Sequence, residues 1–90
     1  MPGMKTFTLI FDSIAKPEIG EPKYRFMAKR DGHEDVTSLK RFSTLGEAVL
    51  FARHLSLDGD ALRKMEAALS IDETFIVKGA AFSDERLLTD

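Results

Sequence analysis

Residues 23–41 have the sequence KYRFMAKRDGHEDVTSLKR, and this segment decides the fold because it encodes two strands and the turn between them. Apolar and polar side chains alternate on both sides of Asp31 and Gly32, and a period of two is typical of strands that are covered on one face. Asp-Gly favours a two-residue hairpin turn of type I′, in which both central residues have positive φ. The segment therefore predicts a β-hairpin.

A turn centred on Asp31 and Gly32 sets which side chains of the hairpin share a face. The predicted core face holds Tyr24, Phe26, Ala28, Thr37 and Leu39. The predicted solvent face holds Lys23, Arg25, Met27, Lys29, Glu34, Val36, Ser38 and Lys40. A four- or five-residue loop over residues 31–35 would give a competing register. If that loop shifted the pairing of the two strands by an odd number of residues, Val36 and Leu39 would turn to the opposite sides of the sheet.

The residues before the hairpin predict one further strand and a long loop. Residues 5–11 alternate with Phe7, Leu9 and Phe11 on one face, which indicates a first strand covered on that face. Residues 12–22 have the sequence DSIAKPEIGEP, and the two prolines and the glycine exclude both a helix and a continuous ladder. We therefore expect a loop there.

The residues after the hairpin predict two helices and a last strand. Thr44 and Glu47 have the spacing of a capping box and start a helix that extends to about Leu57. Residues 61–70 form a second amphipathic pattern after Asp58-Gly59-Asp60. Residues 74–81 are rich in β-branched and aromatic side chains and predict a strand, which Gly79 weakens.

This order of elements predicts an α+β fold in which an antiparallel four-stranded sheet (β-β-β-α-α-β) has two helices on one face, a two-layer sandwich. The expected strand order is 3-2-1-4, and the alternative is a last strand beside the third. At 90 residues the chain has room for a single domain over residues 1–90. We expect residues 1–3 and 84–90 to be flexible.

Composition excludes several classes of protein. There is no cysteine, so disulfides and thiolate metal sites are excluded. The apolar run near the N-terminus stops at Asp12 and is too short for a signal peptide or a membrane span. We expect a cytoplasmic protein with no membrane contact.

No catalytic, metal-binding or cofactor-binding set emerges from the motifs. His33 lies in the predicted hairpin turn, with no nucleophile or second ligand close in sequence. His54 lies near the end of a helix, where capping of free carbonyl groups is the ordinary role. Asp58 and Asp60 resemble the start of a calcium loop, but Leu69 stands where the bidentate glutamate is required. We therefore expect a protein that is not an enzyme and that has no cofactor.

Charge placement points to binding. Residues 1–42 contain eight lysines and arginines against six acidic residues, whereas residues 43–90 contain five against nine. In the predicted register, Lys23, Arg25, Lys29 and Lys40 cluster on the uncovered sheet face, with Met27, Val36 and Ile10 between them and Lys78 alongside. The candidate partner-binding residues are Lys23, Arg25, Met27, Lys29 and Lys40 on this face and Ile14 and Ile19 in the loop over residues 12–22.

These residues predict a small intracellular binding module, a regulator, adaptor or inhibitor that acts by protein–protein contact. Size and the lack of a catalytic set also suit an inhibitor of a host system of the kind that phages and mobile elements encode. The alternative is a nucleic-acid-binding domain whose cations contact backbone phosphates. Against it, the predicted open face has no aromatic residue on which bases could stack. The sequence leaves self-association open, because an edge strand can pair across a dimer axis.

Overall fold

The computed structural model describes residues 5–82 and Leu88, and these residues form a sheet of four strands packed against two helices. The elements follow one another as β1 (Lys5–Ser13), β2 (Tyr24–Arg30), β3 (Val36–Phe42), α1 (Leu45–His54), α2 (Gly59–Ser70) and β4 (Phe75–Phe82). The predicted α+β class and order of elements are confirmed.

The sheet is antiparallel throughout, and its strand order is β3-β2-β1-β4. α1 packs on β2 and β3, while α2 packs on β1 and β4, so both helices cover the same face of the sheet. The predicted position of the last strand beside β1 is confirmed, and β4 does not take the alternative position beside β3.

The core lies between the sheet and the helices and takes up all the aromatic rings. The seven phenylalanines and the tyrosine are either buried in it or packed against it. The rings of Phe11 and Phe26 lie 4.9 Å apart on neighbouring strands, and Phe51 of α1 packs edge-on against Phe26, also at 4.9 Å. This packing confirms the predicted core faces of β1 and β2.

The connection between β2 and β3 differs from the predicted turn. A type I′ turn needs positive φ at both central residues, but Gly32, with φ at 84°, is the one residue of the segment 31–35 with positive φ. The amide of His33 does donate to the carbonyl oxygen of Arg30 at 3.0 Å, which closes a turn over Asp31 and Gly32. However, the pairing of the two strands resumes only at Lys29 and Val36, so residues 31–35 all lie outside the strands. The prediction of a two-residue turn is therefore wrong, and the longer loop over residues 31–35 forms instead.

The longer loop reverses the faces of most of β3. Phe26 pairs with Lys40, and Met27 pairs with Leu39. Ser38 is consequently buried and Leu39 is 51% exposed, so the predicted inward position of Leu39 and outward position of Ser38 are wrong. An irregularity in the pairing at Lys29 leaves Val36 exposed on the same side as Leu39.

Core packing explains the register that β3 adopts. Phe42, which pairs with Tyr24, packs its ring 5.5 Å from the ring of Phe51. In the predicted register Leu39 would fill this region, and an aromatic ring buries more apolar surface than a leucine side chain. The larger buried surface favours the observed register over the tight turn.

Both helices begin at capping residues. The side chain of Thr44 accepts a hydrogen bond of 3.2 Å from the amide of Glu47, and Asp58 accepts one of 2.7 Å from the amide of Ala61. α1 ends at His54, before the predicted end at Leu57, and α2 begins earlier than predicted because Asp58 is its N-cap.

The residues predicted to be flexible, 1–3 and 84–90, lie outside the described residues with the exception of Leu88. The side chain of Leu88 is fully buried in the core, and its carbonyl oxygen accepts a hydrogen bond from Ser38. This residue thus closes the core beneath β3.

Candidate functional site

The sheet face opposite the helices, called the open face below, carries a continuous row of apolar side chains. The row crosses all four strands, because paired positions bring together Leu39, Met27, Ile10 and Ile76 in that order from β3 to β4. Leu39 and Ile76 at its ends are 51% and 50% exposed, and the two central residues are half-buried. Neither helix covers this row.

A second row, nearer the β1–β2 loop, carries two guanidinium groups. Arg41 pairs with Arg25, and Arg25 pairs with Asp12 on the next strand. The Nε and Nη2 atoms of Arg25 donate to the two carboxylate oxygens of Asp12 at 3.1 and 2.7 Å. Hydrogen bonding to Asp12 and the negative charge of Asp12 raise the pKa of Arg25. Arg41 is exposed and forms no ion pair with any residue in 5–82 or with Leu88.

A third row lies on the other side of the apolar row and is also cationic. Lys29 pairs with Val36 on β3 and with Thr8 on β1. Lys78 of β4 points to the same face by alternation with Val77, before a bulge at Gly79 interrupts the pairing with β1. Within the described part of the chain, neither lysine forms an ion pair. The apolar row is thus flanked by cations on both sides.

Two of the predicted binding lysines do not lie in this set. The ammonium group of Lys40 lies 5.0 Å from the centre of the Phe51 ring, on the side of the helices, because the register of β3 is shifted. The ammonium group of Lys23 lies 3.5 Å from a carboxylate oxygen of Asp72, just after α2. Their predicted positions on the open face are therefore wrong, while those of Arg25, Met27 and Lys29 are confirmed.

The loop between β1 and β2 separates the two isoleucines predicted to bind a partner. Ile14 is half-buried and borders a depression of about 120 Å³ together with Arg25 and Arg41. Ile19 is fully exposed at the tip, in a turn that is closed by a 2.9 Å hydrogen bond from the amide of Glu21 to the carbonyl oxygen of Glu18. Gly20 supplies the positive φ that this type II turn requires. The loop therefore continues the surface of the open face at its arginine row.

The two histidines lie apart and in different surroundings. His33 is exposed in the β2–β3 loop, and the ring of His54 stacks on Phe51 at 6.2 Å. Among residues 5–82 and Leu88, no group of three or more histidine, aspartate and glutamate side chains is placed to hold a metal ion. No described helix is both long enough and apolar enough to cross a membrane.

Sequence reasoning missed three residues of the open face. Leu39 was assigned to the core face by a register that the hairpin does not adopt, and neither Arg41 nor Ile76 was assigned to a face. The competing loop over residues 31–35 was the signal for the first two, since its odd shift turns Leu39 outward. For Ile76, alternation with Phe75 and Val77 was the available signal.

Comparison of the chain with protein-family models, with curated proteins and with solved structures finds no match.

Proposed function

We propose that this chain is a non-enzymatic binding module, a regulator, adaptor or inhibitor that works by protein–protein contact through the open face. The observation that carries the proposal is the apolar row from Leu39 to Ile76, which crosses the whole sheet on the side away from the helices. Contiguous exposed apolar side chains rimmed by polar groups are typical of interfaces. The flanking cations supply such a rim.

The chemistry of the two kinds of row suits a protein surface. Leu39, Met27 and Ile76 gain from burial against apolar side chains, by roughly 25 cal/mol for each Å² removed from water. Arg41 and Lys29 would steer a partner that carries carboxylates and fix its orientation. A protein with an apolar ridge and a carboxylate placed to meet the arginine row therefore matches the face.

A nucleic acid fits the open face less well. Sheets that bind single strands present aromatic rings on which bases stack, and the aromatic side chains of this chain are in the core or packed against it. The net charge of the chain is −2, which opposes the approach of a polyanion. The apolar row would have no counterpart along a phosphate backbone.

The test is affinity capture from a nuclease-treated extract of the native host, with wild-type protein and two variants. Met27→Asp places a charge at the centre of the open face. Leu50→Asp is the matched control, because Leu50 lies on α1 and is 64% exposed. We expect a protein that wild type and Leu50→Asp retain and that Met27→Asp loses, and its purified form should bind the wild-type chain directly.

Two outcomes would contradict the proposal. One is an identical set of captured proteins for wild type and Met27→Asp, provided that circular dichroism shows both to be folded. The other is binding to a random-sequence duplex that falls steeply with salt and that the double change of Lys29 and Arg41 to glutamate abolishes, since this result assigns the face to phosphate contacts.

A further inference from the structure

The open face is self-complementary about one particular twofold axis. An axis that runs parallel to the strands, between β1 and β2, exchanges β1 with β2 and β3 with β4 because the strand order is β3-β2-β1-β4. When two copies stack with their open faces together about this axis, each cross-strand row meets the same row of the second copy in reverse order. The side chains in these rows then decide whether the two faces attract each other.

The apolar row meets only apolar side chains in this arrangement. Met27 of one copy faces Ile10 of the second copy, and Leu39 faces Ile76. The half-exposed residues at the ends of the row become covered by each other. Burial of the full row on both copies supplies the driving force for association.

The charged rows meet as opposites or with neutral groups. Arg25 faces Asp12 of the second copy, and symmetry repeats this contact, so the two existing ion pairs merge into a cluster of two cations and two anions. Lys29 faces Thr8 of the second copy, and Lys78 faces Val36. Arg41 comes to lie over Thr74, the exposed and neutral residue immediately before β4.

Charge and edge geometry disfavour the other ways of pairing two copies. A twofold axis along the apolar row lays each strand over the same strand of the second copy, so Arg25 meets Lys29 and two like charges come together. At the edges of the sheet, β3 carries the adjacent cationic residues Lys40 and Arg41, and β4 is interrupted by the bulge at Gly79. Both features are typical of edges that resist strand pairing.

From these relationships we propose that the open face binds a second copy of the chain, giving a twofold-symmetric dimer in which two sheets pack face to face and the helices lie outside. The inference rests on the proposed function, because it uses the same face for protein contact. It adds that the protein bound there is a second copy of the chain. Both β1–β2 loops, each with an exposed Ile19, then lie side by side at one end of the dimer.

The size of the face predicts a weak dimer. Four strands spaced about 4.8 Å apart and three rows about 7 Å apart cover about 400 Å² of flat area per copy. Stable interfaces bury about 800 Å² per partner. We therefore expect a weak dimer that a tighter-binding protein can displace.

The first test is sedimentation equilibrium of the purified protein over a concentration range from micromolar to millimolar. Wild type and Leu50→Asp should reach twice the monomer mass with the same dissociation constant, and Met27→Asp should weaken dimerisation by at least about tenfold. A wild-type chain that remains monomeric at the highest concentration overturns the inference, as does a dimer that Met27→Asp leaves intact.

The second test uses two charge variants that should repel themselves but attract each other. Arg25→Asp places two carboxylates opposite two carboxylates, and Asp12→Arg places two cations opposite two cations, so each variant alone should be monomeric. Mixed together, position 25 of each chain meets a charge of opposite sign at position 12 of the other, and the mixture should form a heterodimer. Absence of the heterodimer from a mixture of folded variants overturns the proposed axis.

These measurements separate the inference from the proposed function. A monomeric wild type that still captures a host protein in a Met27-dependent manner overturns the dimer and leaves the binding module standing. A Met27-dependent dimer without such capture supports the dimer and removes the regulator, adaptor or inhibitor acting on another protein.

Discussion

The hydroxyl group of Ser38 on β3 donates a hydrogen bond of 2.7 Å to the backbone carbonyl oxygen of Leu88, 50 residues further along the chain. Both residues are buried, so the contact holds Ser38 towards the helices. Because neighbouring residues of a strand point to opposite faces, Leu39 must then face away from the helices. A long-range contact thus helps to place one end of the apolar row on the open face.

The first prediction concerns this contact. Ser38→Ala should lower the free energy of unfolding by about 1–2 kcal/mol, because the buried carbonyl oxygen of Leu88 loses its donor. Ser70→Ala is the control, since the hydroxyl of Ser70 is exposed and donates to the carbonyl oxygen of Glu66 within a helix. Urea denaturation of both variants measures the difference, and equal effects would contradict the role of the contact.

The second prediction compares two glycines that both have open space around the position of a Cβ atom. Gly79 has φ at 72° in the bulge of β4, so Gly79→Ala should destabilise the fold by about 1 kcal/mol through backbone strain alone. Gly59 lies in the first turn of α2 without positive φ, and Gly59→Ala should instead be stabilising by about 0.5 kcal/mol. Thermal melts of the two variants should shift in opposite directions.

The third prediction concerns the ion pair between Arg25 and Asp12. A double-mutant cycle with Arg25→Met and Asp12→Asn should give a coupling energy of about 0.5–1 kcal/mol, since the arginine side chain is 39% exposed and screened by water. The coupling should decrease in high salt. Undiminished coupling in high salt would indicate that the pair is shielded from solvent.

The same pair has a defined dependence on pH. Asp12 raises the pKa of Arg25 in the folded state. A raised cation pKa contributes stability below its unfolded value, and this stability is lost only as the pH rises through the folded value. Because both values are strongly alkaline, Arg25 should cause no loss of coupling between about pH 7 and about pH 10. Repeating the double-mutant cycle at several pH values across this range should give the same coupling energy.

The fourth prediction concerns Lys40, whose ammonium group lies 5.0 Å from the centre of the Phe51 ring. Lys40→Ala should reduce the free energy of unfolding by about 0.5–1 kcal/mol through the loss of this cation–π contact. Lys29→Ala on the open face is the matched control and should have almost no effect on the folded monomer. If Lys29→Ala lowered the free energy of unfolding more than Lys40→Ala, the placement of Lys40 on the helix side and Lys29 on the open face would be contradicted.

Signals carried by neighbouring residues were enough to predict the elements and their order. The alternation of β1 and β2 placed Phe7, Leu9, Phe11 and Phe26 in the core, and Thr44 marked the start of α1. Such signals depend on contacts within a few residues, which the order of side chains contains directly. They also placed Arg25, Met27 and Lys29 on the open face.

The side chains of β3 that face the helices were decided only by the tertiary structure. Asp31-Gly32 favours a tight turn locally, but the packing of Phe42 against Phe51 and the bond from Ser38 to Leu88 select the longer loop. A strand has a period of two, so this odd shift moved Lys40 to the helix side and Leu39 to the open side. The sequence by itself therefore determined the elements, their order and the core faces of β1 and β2. The unbroken apolar row across four strands depended on the packing of residues far apart in the chain.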